Sequence, residues 1–331
     1  MTYKIPDNTG KGEMLVTDPI AIDFDVTDSL PDTAADAVRV IISGWLFLPS
    51  KPADPTRPVA IVLIAGGSYD KRYHHVHIPG REGYSAAEHL AALGNIVLLT
   101  DHLGVGQSSR LPNQKKATRF VVAQANHAAV EQFHQRLADG TLHPSLPAII
   151  NCTRIGGGHS MGGMQTIIQQ ARHRSYDGIM VMGYTADGVH FTMNGRKLRA
   201  AEFIPDESSD YTTNDRAALH EGFHWQDVPE DVIAADDALA VETPACIGLD
   251  SIRTGIVRLE ASEIDVPVYI CLGERDVSPD PHAEPAFYRN SSDITLHILP
   301  RSGHCQSFAS TRHAMWNRMH RWSQEVAEGR P

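Results

Sequence analysis

The chain has 331 residues, 42% hydrophobic and 21% charged, with a formal net charge of -11 at pH 7. That length exceeds what a single core usually serves, so one large α/β domain with an insertion, or two domains, is expected. The acidic balance argues against a nucleic-acid or anionic-membrane surface, since either would want a basic face.

The longest strongly apolar run, Val59 to Ala65, is strand-sized and far short of the ~20 residues that span a bilayer. The N-terminal Met-Thr-Tyr-Lys-Ile-Pro-Asp-Asn lacks the apolar stretch of a signal peptide, so a cytoplasmic enzyme is the expectation. Cys152, Cys246, Cys271 and Cys305 have neither metal nor disulfide spacing and read as reduced, mostly buried thiols.

In chain order, Ile20 to Val26 alternates as a half-buried strand does, and Val38 to Leu48 reads as its antiparallel partner, with Gly44 offering a bulge. A Pro-rich connection, Pro49 to Pro58, leads to Val59–Ile64, whose continuous apolarity suits a parallel-sheet strand covered on both faces. A helix over Ser85 to Leu93 is stopped by Gly94, and Ile96 to Thr100 is the next buried strand. A long helix follows, about Lys116 to Leu137. Beyond a glycine-rich turn at 154–164, residues Gln165 to Arg172 are free of Gly and Pro and read as helix. Apolar strands follow at 178–183, 268–273 and 294–299, and Met315 to Ala327 closes the chain as an amphipathic helix.

This alternation predicts a doubly wound, mostly parallel sheet with antiparallel N-terminal strands. Tyr184 to about Ala261 breaks it. That segment is rich in acids, has helix-like patches at Asp215–His220 and Asp231–Ala240, and reads as a mainly helical cap. The expected organisation is a core over 1–183, the cap over 184–261 and the core resumed over 262–331, with no internal repeat or low-complexity segment.

Gly158-His159-Ser160-Met161-Gly162 matches the G-x-S-x-G turn that places a serine on a sharp strand-to-helix bend. Flanking side chains would collide across such a bend, and the helix beyond it offers backbone N–H donors. A serine hydroxyl needs a base to take its proton and a third group to orient that base. Asp276 follows the strand at 268–273 and His304 follows the strand at 294–299, so the order Ser160, Asp276, His304 suits three residues at one sheet edge. Glu274, two residues earlier, and Asp187 compete for the acid's place. Oxyanion donors are expected from the Met161 amide and from Ala65-Gly66-Gly67-Ser68-Tyr69, with Gly67 first and Ser68 second. Tyr69, His159 and Tyr184 are candidate substrate contacts, and Met180, Met182 and Met193 read as core and pocket lining.

Ala65-Gly66-Gly67, Asp101 to Ser108, Gly158 to Gly163, Gly273 to Asp276 and Gly303-His304 together resemble an α/β-hydrolase. The likeness spans roughly residues 36–183 and 262–325 and leaves the N-terminus and the cap unmatched. It implies the α/β-hydrolase fold and a cofactor-free serine hydrolase. Asp101–Ser108 resembles the family's loop after the fourth strand, which shapes the sheet edge. Ala65 stands where relatives often carry His ahead of the glycines. Ser160, where dehalogenases and epoxide hydrolases of this fold carry aspartate, disfavours those two activities.

The leading expectation is cleavage of a carboxylic ester or lactone in a small-molecule substrate through an acyl-enzyme. C–C bond hydrolysis of a β-diketone-like substrate, or thioesterase or acyltransferase activity, is the alternative on the same fold. A non-catalytic small-molecule-binding protein is the alternative of another class. No metal is expected: His220-Glu221-Gly222-Phe223-His224 fits the H-E-x-x-H zinc pattern, but Gly222 weakens the helix it needs. Arg72 to His77 reads as a solvated loop, with substrate contact second. Gly104-Val-Gly106 lacks the third glycine of a dinucleotide fingerprint and the lysine of a P-loop. The oligomeric state stays open, a homodimer included.

Overall fold

The computed structural model describes residues 3–5, 14–16, 19–30, 38–203 and 209–329. Most of the N-terminal octapeptide read for a leader therefore lies outside the described residues. A short antiparallel pair, β1 (Tyr3–Ile5) and β2 (Met14–Val16), precedes β3 (Ile20–Asp25) and β4 (Ile41–Phe47). Then come β5 (Val59–Ile64), α1 (Ala86–Ala92), β6 (Ile96–Thr100), α2 (Arg119–Ala138), β7 (Thr153–His159), α3 (Met161–His173) and β8 (Gly178–Met182). An insert follows with β9 (His190–Met193), β10 (Arg196–Arg199), β11 (Tyr211–Thr212), α4 (Arg216–Phe223), α5 (Glu230–Asp237), β12 (Thr243–Pro244), α6 (Ala245–Ile252) and α7 (Arg258–Glu263). The chain ends with β13 (Val268–Gly273), β14 (Ile294–Leu299) and α8 (Arg312–Gly329).

The central sheet has eight strands in the order β14-β13-β8-β7-β5-β6-β4-β3. Its pairs from β14 to β6 are parallel, whereas β4 pairs antiparallel with both β6 and β3. Every residue of β5 is buried, and the two-residue period of a strand sorts its side chains between two cores. Ala60 and Val62 join the core built with α2 and α3, while Val59, Ile61 and Leu63 join the one built with α1 and α8. A third apolar cluster, including Tyr69, Tyr73, Leu219, Phe223, Val232 and Phe308, seats the insert on the sheet's C-terminal edge.

Three differences from the sequence reading have local causes. The long helix starts at Arg119 because the Thr118 side chain accepts the Val121 N–H as its cap, and residues 114–116 form a separate 3-10 turn. The insert, expected as mainly helical, also carries the β9–β10 hairpin. Its two-residue turn, Asn194-Gly195, has φ of +51° and +70°, the left-handed pair that an Asn-Gly hairpin turn requires. The 72–77 run, expected as a solvated loop, is folded inward: Lys71–His74 is a 3-10 turn with Tyr73 and His74 buried. No helix among the described residues is long and apolar enough to cross a membrane.

Candidate active site

Ser160 is the single residue between β7 and α3, held at φ +54°, ψ -121°. The glycines on either side are required by close approach. A Cβ on Gly158 would lie 2.1 Å from the Gly162 carbonyl oxygen, and one on Gly162 would lie 2.5 Å from the Ile64 carbonyl oxygen. The bend therefore closes only if both positions lack side chains.

His304 and Asp276 stand on the loops after β14 and β13, which the sheet order brings to the same edge as Ser160. His304 Nε2 lies 3.0 Å from Ser160 Oγ, and His304 Nδ1 lies 2.7 Å from Asp276 Oδ1. The Asp276 carboxylate also accepts the Val277 N–H at 2.7 Å on Oδ1, and the Gly273 N–H at 2.7 Å and Gln306 Nε2 at 3.0 Å on Oδ2. Four donors thus fix it. The competing acids face elsewhere: Glu274 accepts the Arg301 N–H at 2.8 Å, and Asp187 pairs with Arg258. A hydroxyl, an imidazole and a carboxylate linked in this way can activate the hydroxyl and hold the proton it gives up.

His304 is braced from behind by its neighbours. Its N–H donates to the Gly222 carbonyl at 2.9 Å, its ring packs 5.2 Å from that of Phe223, and its carbonyl accepts His159 Nε2–H at 2.8 Å. His159 is buried and stacked on Tyr73 at 4.5 Å, and desolvation holds its pKa well below the ordinary histidine value. A neutral ring that donates to a carbonyl is the result. His74 and His102 do similar work at the end of β5, their Nε2 atoms 3.2 and 2.9 Å from the Ile64 and Ala65 carbonyls, and burial pushes each pKa down to about 4.

The loop after β5 passes directly beside Ser160, where a Cβ on Gly66 would sit 3.0 Å from the serine Cβ. Among the described residues the amides of Gly67 and Met161 donate to no protein acceptor. The Ser68 amide is engaged, donating to Thr243 Oγ1 at 2.8 Å. Of the two candidates from this loop, only Gly67 keeps an open N–H.

A cavity of about 430 Å³ opens above Ser160 and His304. Phe191 and Met193 of β9, Leu219 and Phe223 of α4, and Leu249 and Ile252 of α6 make its apolar walls. Thr212, Thr213, Asn214 and Asp215 supply a polar end, and among the described residues no Lys or Arg lines it. Tyr69 lines the cavity, but its hydroxyl turns away to Asp236 at 2.8 Å. His159 and Tyr184 lie outside the lining; Tyr184 is buried against α3, and desolvation raises its phenol pKa. The sequence reading included Met193 of the wall strand but missed Phe191 and Leu249 as wall residues and Gln306 as a donor to the acid; Asn194-Gly195 is the local mark of the hairpin that carries this strand.

The H-E-x-x-H pair is divided between two carboxylates. His220 Nε2 lies 2.9 Å from Asp237 Oδ1, and His224 Nε2 lies 3.0 Å from Asp236 Oδ2. No group of three His, Cys, Asp or Glu among the described residues is placed to hold a metal.

The family described as serine aminopeptidase, S33, matches residues 80–308. Among solved structures, a thermophilic esterase from Thermogutta terrifontis is 14% identical, with 99% of each chain covered and a TM-score of 0.59. A soluble variant of monoglyceride lipase from Saccharomyces cerevisiae is 18% identical over 87% of this chain and 92% of its own, with a TM-score of 0.61. A bromoperoxidase from Bacillus anthracis is 15% identical over 92% and 100%, again at 0.61. No curated protein matches the sequence significantly. At such identities these structures establish a shared fold.

Proposed function

We propose, for a chain that belongs to the serine aminopeptidase S33 family and is an α/β-hydrolase enzyme, that it cleaves a neutral carboxylic ester or lactone through an acyl-enzyme on Ser160. The observation that carries this reading is the Ser160–His304–Asp276 chain opening into a mainly apolar cavity. Ser160 Oγ attacks the carbonyl while His304 Nε2 takes its proton, and Asp276 orients the imidazole and stabilises its charged form. The Met161 and Gly67 amides receive the oxyanion. His304 then protonates the leaving alcohol and activates a water that releases the acid.

Charge favours a neutral substrate over a peptide or an acid. A free ammonium would need buried carboxylates, and among the described residues the only one lining the cavity is Asp215, which is exposed at the start of α4. An anionic acyl group would need a cation, and among the described residues no Lys or Arg lines the space. The 184–261 insert acts in this reading as the cap that selects the acyl group, because it supplies Phe191, Leu219 and Leu249. Turnover of p-nitrophenyl butyrate tests the proposal. Wild-type protein should hydrolyse it, and Ser160→Ala should lose at least about 10⁴-fold in kcat while keeping its fold. Undiminished turnover in the variant, or no turnover of any neutral ester or lactone by the wild type, contradicts it.

A further inference from the structure

We infer that Arg216, with its buried partner Asp236, is a positioning residue that sets the oxyanion loop from the insert, so that the insert completes the catalytic machinery as well as covering it. The inference rests on the acyl-enzyme reading above.

The loop presents Gly66 and Gly67 beside the nucleophile, and neither has a side chain by which the fold could hold it. The first residue that can be gripped is Ser68, which sits at φ +62°, a left-handed conformation unfavourable for serine. All of its polar groups are held, and every partner comes from the insert. Its N–H donates to Thr243 Oγ1 at 2.8 Å, and its Oγ accepts the Asn214 N–H at 3.0 Å. Its carbonyl accepts both the Val241 N–H and Arg216 Nη2, each at 3.1 Å. The Gly67 N–H, the open donor, is therefore aimed by a peptide whose neighbour is clamped from above.

Arg216 is the centre of that clamp. Its guanidinium lies 4.1 Å over the Tyr69 ring, bonds the Tyr69 hydroxyl, and reaches Asp236 Oδ2 at 3.4 Å. Asp236, fully buried, accepts the Tyr69 hydroxyl at 2.8 Å. Two consecutive loop residues, Ser68 and Tyr69, are thus fixed by one ion pair. A desolvated ion pair is a weak source of stability, but its bond directions are strict, which suits positioning. Opening the insert would release Ser68 and with it the direction of the Gly67 amide.

The experiment compares Arg216→Met, Arg216→Lys and the near-isosteric Thr243→Val with the wild type. Three quantities are read: kcat, KM for p-nitrophenyl butyrate, and inhibition by a trifluoromethyl ketone, whose adduct carries an oxyanion. Arg216→Met should lower kcat about 100-fold with KM within about threefold, and weaken the ketone by a comparable factor. Arg216→Lys should recover part of that loss. Thr243→Val, which keeps the ion pair, should lower kcat about tenfold and carries the test if Arg216→Met does not fold. A kcat within threefold of wild type in the folded variants overturns the inference. So does a fall in kcat with no loss of ketone affinity, since that marks a structural role alone. A wild type that turns over no ester or lactone overturns instead the functional reading beneath it.

Discussion

Replacing Asp276 with asparagine tests how the carboxylate serves the site. Val277 N–H and His304 Nδ1 face Oδ1, while Gly273 N–H and Gln306 Nε2 face Oδ2. An asparagine amide has one acceptor and one donor end, so whichever way it lies, an NH2 group meets groups that also donate. If the NH2 takes the Oδ2 place, it opposes the fixed Gly273 N–H and strands a buried donor, at a cost of about 1–3 kcal/mol. If it takes the Oδ1 place, it strands the Val277 N–H at a similar cost, and His304 relieves its own conflict by accepting at Nδ1. Its proton then sits on Nε2, aimed at Ser160 Oγ, and the imidazole can no longer receive the serine proton. Loss of the correct tautomer costs about 10⁴ in kcat in triads of this kind, equivalent to about 5 kcal/mol of barrier. We expect Asp276→Asn to lower kcat for p-nitrophenyl butyrate by about 10⁴-fold, with KM changed little and the thermal midpoint lowered by only a few degrees. A variant that retains more than a tenth of wild-type kcat would refute the role assigned to Asp276.

Leu249 lines both the 430 Å³ cavity and a neighbouring one of about 410 Å³ on the far side of α6. Leu249→Ala should join the two and raise the decanoate-to-butyrate ratio of kcat/KM for p-nitrophenyl esters about tenfold, at about 2–5 kcal/mol of stability; an unchanged ratio would place the acyl chain elsewhere. Stability should also fall in mild acid. His74 and His102 have pKa values lowered by burial from 6.5 to about 4, so the unfolded chain binds more protons than the fold between those limits. Their contribution, up to about 3 kcal/mol each, is fully present above about pH 6.5 and lost as the pH falls towards 4. Urea midpoints that stay level from pH 7.5 to 4.5 would contradict this.

Much of the core was legible because buried parallel strands leave a plain mark. Val59–Ile64 is apolar without interruption because both its faces are covered, and the catalytic candidates follow from strand order, since consecutive parallel strands deliver their C-terminal loops to one edge. The choice between Glu274 and Asp276 was harder. Both lie in one turn, and what separates them is direction, towards the Arg301 amide or towards His304. The insert was least legible. Pro244 and Gly248 disguise α6, and β9 has only four residues with which to show a period. The hold on Ser68 left no local trace at all, because Asn214, Arg216 and Thr243 lie 146, 148 and 175 residues further along the chain.

The most direct test of the mechanism is covalent capture of the nucleophile. A fluorophosphonate requires an activated serine hydroxyl and leaves a stable adduct that mass spectrometry can count and place. Native protein should take up one phosphonyl group per chain, mapped to Ser160 and lost in both Ser160→Ala and His304→Ala, with ester turnover falling in step. Hydrolysis that survives full modification of Ser160, or an adduct on another residue that tracks the loss of activity, would contradict an acyl-enzyme at this turn.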